Sequence, residues 1–178
     1  MTPQDKTEDI GQAFLYNDEI EPQYLIKESK FLLLSFLTFG LYPVWWIYKA
    51  WVFFIQKEGS NANPAIRVVF NLFFMLALLN RIRRFARQEG YQGSNFPAIS
   101  YVLIIGVSFC SLFPPPFFLI SLSGCLFFLP SVSALNYGLQ ESSEVCSYED
   151  DGLSARQIIL VVIGLVLWGL IVVGLLSS

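Results

Sequence analysis

Residues 157–176 read QIILVVIGLVLWGLIVVGLL, about 20 residues without a charge, a length that as a helix matches the roughly 30 Å hydrocarbon core of a bilayer. A helix apolar on every face has to be surrounded by lipid or by other protein, and this constrains the chain more than any other feature in it. Gly164, Gly169 and Gly174 recur every five residues rather than every four, so they do not form the one-sided stripe of a GxxxG dimer helix.

The rest of the chain follows the same rule. Charged residues make up 14% of its 178 residues, against about 25% in ordinary soluble domains. They are also segregated. Residues 31–55, 98–137 and 157–178 contain Lys49 as their only Lys, Arg, Asp or Glu. This pattern predicts an all-α fold, a polytopic helical membrane protein of about five transmembrane helices at residues 31–55, 65–80, 98–113, 117–135 and 157–176. Gly40 and Pro43 predict a kink near Leu41 within the first span. The polar loop QKEGSNANP joins the first span to the second. Pro114, Pro115 and Pro116 cannot continue a helix, so the third and fourth spans read as a hairpin, either fully crossing or re-entrant, with Pro130 as a kink or end in its second arm.

Residues 1–28 read as an acidic flexible tail, with Asp5, Glu8, Asp9, Asp18, Glu19, Glu21 and Glu28, and residues 29–178 as one helical membrane domain. A secretory leader needs a basic start and an early apolar run, and neither is expected here. The late loop GLQESSEVCSYEDDGLSAR is acidic but lacks the alternating Asp and distal Glu of an EF-hand. With no histidine and three cysteines without CxxC spacing, zinc, Ser-His, Cys-His and histidine-ligated haem chemistry have no residues to work with. We expect no enzyme activity, no catalytic or metal-ligating residues, no cofactor and no nucleic-acid partner.

Between residues 38 and 51 the chain reads TFGLYPVWWIYKAW. Trp and Tyr rings have apolar bodies and a polar tip, and lysine can run its stem along them, so Tyr42, Trp45, Trp46, Tyr48, Lys49 and Trp51 form an expected membrane-interface anchor. Trp45 and Lys49 lie four apart on one helical face, the spacing of a cation-π pair. The segment NRIRRFARQEG supplies a basic cluster, Arg81, Arg83, Arg84 and Arg87, suited to anionic headgroups. In the five-span reading these arginines join Lys6, Lys27, Lys30 and Arg156 on one side, with only Lys57 and Arg67 opposite. The positive-inside rule then puts the N-terminus in the cytoplasm and the C-terminus outside.

Thr38, Phe39, Gly40, Tyr42, Trp46, Tyr48 and Lys49, followed by Pro64, Arg67, Phe70 and Arg81, make residues 30–84 resemble the DUF4234-like family of small bacterial inner-membrane proteins. The resemblance implies a cytoplasmic-membrane location and a helical architecture, and it carries no activity with it. The late loop departs from it, being acidic where the family is often basic. The leading functional reading is a structural or interaction component of the inner membrane, in contact with the lipid bilayer, anionic headgroups and another membrane protein. The alternative is a small transporter or channel subunit. Asn71, Asn80, Ser108, Ser111, Ser121 and Ser123 are its polar candidates, although short hydroxyls and amides usually bond to backbone or neighbouring helices.

Overall fold

In the computed structural model, which describes residues 22–59, 63–114, 117–143, 145–149 and 152–176, the stretch expected as a first span is divided between two helices, α1 (Glu28–Leu37) and α2 (Leu41–Lys57). The division has a local cause. Phe39 and Gly40 take left-handed φ values of 52° and 81°. Gly40 N–H donates to the Ser35 carbonyl at 2.8 Å and Phe39 N–H to the Phe36 carbonyl at 3.1 Å, the paired bonds of a Schellman helix end. The buried Thr38 hydroxyl donates to the Leu34 carbonyl at 2.7 Å and accepts the Tyr42 amide at 2.9 Å. One side chain thus closes α1 and caps α2. Pro43 then falls in the first turn of α2, where amides have no intrahelical acceptor, so it costs no bond. The Phe31 ring packs edge-on against both Tyr42 and Trp46 at 5.7 Å, which requires α2 to fold back along α1. The expected kink is a complete reversal.

The second expected span is also divided, into α3 (Pro64–Val69) and α4 (Asn71–Gln88). Asn63 caps α3 by accepting the Ala65 amide at 2.9 Å. Helix α4 buries Met75, Leu78, Leu79, Ile82, Phe85 and Ala86, an i, i+3, i+4, i+7 stripe, and carries arginines on its other faces. It is amphipathic rather than apolar all round. It ends on Gly90, at φ 95°, in a second Schellman motif in which Tyr91 N–H reaches the Ala86 carbonyl at 2.9 Å.

The hairpin expected at residues 98–135 is present. Helix α5 (Pro97–Ser108) tightens into a 3-10 turn, Phe109–Leu112, and the return arm is a 3-10 stretch, Phe117–Phe128, that becomes α6 (Leu129–Glu141) with Pro130 in its first turn. Pro115 and Pro116 lie outside the described residues. The last helix, α7 (Ala155–Leu176), opens with a capping box: Ser154 N–H donates to Gln157 Oε1 at 2.9 Å and Gln157 N–H to Ser154 Oγ at 3.3 Å.

Among the described residues two helical stretches, Leu119–Glu141 and Ala155–Gly174, are long and apolar enough to cross a membrane, with Pro97–Leu112 a shorter apolar helix. The five expected are therefore not all reproduced, because the turn at Thr38 to Gly40 and the amphipathic α4 interrupt the first two. The fold is predominantly helical, with seven α-helices among the described residues. One departure from all-α is a two-stranded parallel ladder pairing β1 (Gln23–Leu25) with β2 (Ser147–Glu149). It draws the end of the expected tail into the fold. The remainder of that tail, residues 1–21, and Glu144, Asp150 and Asp151 of the acidic loop lie outside the described residues.

Asn136 of α6 braces the entry to α1, its Nδ2 donating to the Ile26 carbonyl at 2.7 Å while its Oδ1 accepts the Ile26 amide at 3.4 Å. The core then runs through Phe31, Tyr42, Trp46 and Phe128 to a second aromatic group, Phe53, Phe54 and Phe85.

Candidate functional site

The amide of Gln157 is buried at the start of α7 and donates to the Tyr42 hydroxyl at 3.4 Å, joining that helix to α2. Seven residues further on, α7 passes directly over the Thr38 turn. A Cβ at Gly164 would stand 2.2 Å from the Leu37 carbonyl oxygen, so only glycine admits this approach. Trp168 completes the seat, its indole N–H donating to the Phe36 carbonyl at 3.0 Å and its ring lying 5.0 Å from Phe36 and 5.5 Å from Phe39.

Above that seat lies a cavity of about 430 Å³. The entry to α1 contributes Gln23, Tyr24 and Ile26, α2 contributes Tyr42 to Phe53 on one face, α6 contributes Leu135, Asn136 and Leu139, and Ser154 to Gln157 close it. Lys49 and Arg156 are its cations, and no Asp or Glu is among its described lining residues. Lys49 is half-buried and Arg156 is exposed. Two of the neutral polar groups are already committed, Asn136 to the Ile26 backbone and Gln157 to its own helix cap and Tyr42.

The expected interface anchor separates by helical face. Tyr42, Trp46 and Trp51 point into the packing and are buried. Trp45 is half-buried with its ring 5.5 Å from Tyr42, and Tyr48 is exposed. The motif mixes residues of both faces, and residue type alone did not distinguish them. Trp51 instead lies under two guanidinium groups, Arg67 at 4.4 Å and Arg81 at 5.4 Å from the ring centroid.

The basic cluster divides likewise. Arg83, Arg84 and Arg87 line an open groove of about 530 Å³ with Asn80 and Gln88. Arg81 turns away and forms an ion pair with Glu58 just after α2. Lys57, the last residue of α2, lies 5.2 Å over the Phe85 ring. These contacts bring the end of α2 to the level of the arginines, whereas the five-span reading had put them on opposite sides. Three of the serines named as polar candidates spend their hydroxyls on their own helices: Ser108 on the Ile104 carbonyl, Ser111 on Ser108 and Ser123 on Ile120, each at 2.7 Å.

In the sequence Arg156 stands out only as one of the cations on the inner side, and Gln157 only as the start of the last span. The Ser154 to Gln157 spacing is a legible capping box, but their place in one cavity wall with Lys49 is set by packing between elements more than 100 residues apart. No family model matches the chain, and neither a curated protein nor a solved structure is similar to it.

Proposed function

We propose that this chain is an integral protein of the bacterial inner membrane without catalytic chemistry of its own, acting as a structural or interaction component. The observation that carries this reading is the distribution of exposed side chains. Of the described positions in α7 only Gln157 and Gly164 are buried, and Ile159, Val162, Leu165, Val166, Leu170 and Val173 stand exposed around it. Ile99, Val102, Phe109 and Leu112 do the same on the α5 arm. Apolar surface of that extent needs lipid or a partner to cover it.

In this reading α7 and both arms of the α5–α6 hairpin cross the bilayer. The α5 arm has only about 16 residues, but its 3-10 turn rises about 2 Å per residue, so the arm reaches roughly 26 Å. The α1–α2 hairpin enters and leaves on the cationic side. Three crossings put the N-terminus in the cytoplasm and the C-terminus outside, in keeping with the positive-inside rule. The residues of the Thr38 turn are also those that carry the resemblance to the DUF4234-like proteins.

Reporter fusions before Met1 and after Ser178 test the placement, with the first expected cytoplasmic and the second periplasmic. Both on one side would remove the model. Crosslinking in native membranes followed by pull-down tests the role, with a stoichiometric membrane partner expected. A solute flux that disappears on deletion, with no such partner recovered, would return the transporter reading.

A further inference from the structure

Helix α4 carries an outward stripe that its packing leaves uncovered. Its buried residues, from Met75 to Ala86, occupy one side. On the opposite side Phe73, Ala77, Asn80, Arg84 and Arg87 follow one another at i, i+4, i+7, i+11 and i+14, the spacing of a single helical face. Phe73 is 74% exposed, Ala77, Arg84 and Arg87 are exposed, and Asn80 is half-buried. The stripe is apolar where the helix starts and cationic where it ends, with Phe73 and Arg84 about 16 Å apart at 1.5 Å per residue.

Arg83 joins Arg84 and Arg87 in the open groove of about 530 Å³, and α4 contains no Asp or Glu to neutralise them. No ion pair to any of the three is found among the described residues, in contrast to Arg81, which pairs with Glu58. The two ends of the helix have different neighbours. Tyr101, in the second turn of α5, donates its hydroxyl to the Leu72 carbonyl at 2.7 Å, which ties the apolar end of α4 to an arm that crosses the bilayer in the placement proposed above. Phe85, among the arginines, lies instead under Lys57 at the end of α2. In that placement Phe73 lies at acyl-chain depth and Arg84 and Arg87 at headgroup depth.

We propose that the outward stripe of α4 binds an anionic phospholipid lengthwise, its headgroup phosphate on Arg84 and Arg87 with Arg83 beside them, and an acyl chain passing Ala77 to reach Phe73. Guanidinium groups present paired N–H donors to phosphate oxygens. The small side chain of Ala77 leaves the path between the two ends open. A soluble anion would use the arginines alone and gain nothing from Phe73, whereas a phospholipid matches both ends of the stripe. The inference rests on the membrane placement proposed above; the reporter fusions judge that placement, and a titration in detergent judges the site without it. The acidic residues 1–21 have the charge to compete, so the test includes their removal.

The full-length protein in uncharged detergent is titrated with dioctanoyl phosphatidylglycerol, with dioctanoyl phosphatidylcholine and glycerol phosphate as comparisons, and binding is read by calorimetry. One saturable site for phosphatidylglycerol is expected, with phosphatidylcholine weaker by about tenfold and glycerol phosphate not competing at millimolar concentration. Arg84→Gln with Arg87→Gln is expected to raise the Kd about tenfold, and Arg84→Lys with Arg87→Lys about threefold, because an ammonium lacks the bidentate geometry. Lys27→Gln with Arg156→Gln removes equal charge elsewhere and is expected to leave the Kd within about twofold. At the apolar end Phe73→Ala is expected to weaken binding about threefold and Ala77→Glu about tenfold. All these side chains are exposed, so thermal melts of the variants should match the parent. Equal losses in the two glutamine pairs would reduce the effect to diffuse surface charge and overturn the proposal. Losses at the arginines with none at Phe73 and Ala77 would also overturn it, leaving a bare anion cradle. So would absence of a saturable site, phosphatidylcholine binding as tightly as phosphatidylglycerol, displacement by glycerol phosphate, or a gain in lipid affinity of about tenfold on deleting residues 1–21.

Discussion

A methyl group at Gly164 would collide with backbone, the Leu37 carbonyl oxygen at 2.2 Å and Thr38 Cα at 2.4 Å, and backbone cannot rotate away as a side chain can. Gly164→Ala is therefore expected to destabilise the protein by about 2 to 3 kcal/mol through overpacking. Gly169, with nothing within 4 Å of its would-be Cβ, should accept alanine within about 0.5 kcal/mol, or gain slightly from better helix propensity. Thermal melts of the two variants in detergent make the comparison, and equal melting temperatures would mean α7 does not sit on the Thr38 turn. Thr38→Val keeps the shape of that side chain but removes its bonds to the Leu34 carbonyl and Tyr42 amide. It should cost about 1 to 3 kcal/mol, whereas Thr38→Ser, which keeps the hydroxyl, should recover most of it.

At the level of elements, the α1–α2 hairpin differs most from what apolar length alone predicts. Tyr24, just before it, and Phe53, near the end of its second helix, line one cavity with Ser154 and Arg156, while its turn touches Gly164. The turn thus lies about 12 Å along α7 from Arg156 at 1.5 Å per residue. Both outer ends belong to one side. In a background with Cys110, Cys125 and Cys146 changed to serine, Glu28→Cys and Glu58→Cys should be labelled by an impermeant maleimide from the same face of the membrane. Labelling from opposite faces would restore a single crossing helix over residues 31–55. In the proposed membrane placement the reversal is tolerated because its polar backbone groups are satisfied, by the Schellman bonds, by Thr38 and by the Trp168 indole on Phe36.

Across the whole molecule, the cations on α1, α2, α4 and α7 gather toward one pole. Lys57 packs on Phe85, Arg81 pairs with Glu58, Lys30 Nζ donates to the Gly152 carbonyl at 2.6 Å, and Lys49 shares its cavity with Arg156. In the membrane placement proposed above, these cations together, rather than the arginine groove alone, would set the orientation. Removing three charges at once, with Arg83→Gln, Arg84→Gln and Arg87→Gln, leaves Lys27, Lys30, Lys49, Lys57, Arg81 and Arg156 in place. A phosphatase fused after Ser178 is expected to remain uniformly active in that variant. A mixed population would show that the groove, rather than the pole, sets the orientation.

The order of apolar and polar segments, the helical character, the α7 run and the proline-broken hairpin are all legible in the chain, because each depends on residues adjacent in sequence. Asn63, Pro64, Ser154 and Gln157 are likewise local, and their caps form where their spacing indicates. What the residues alone do not settle is which faces meet. Tyr42, Trp46 and Trp51 read as interfacial by residue type, but they are buried, Tyr42 and Trp46 because α2 folds back on Phe31 of α1 and Trp51 because Arg67, Phe74 and Arg81 cover it. Pairing of Gln23–Leu25 with Ser147–Glu149 joins segments more than 100 residues apart, too short to carry a periodic signal. Lys49 looked like an isolated lysine in an aromatic belt, and only the packing of α7 across α2 supplies Arg156 as its neighbour in the cavity. Local spacing specifies caps, turns and apolar runs because their interactions close within a few residues. That two cations from distant helices line one cavity is decided by the tertiary packing that brings Gln157 to Tyr42 and Gly164 to Leu37.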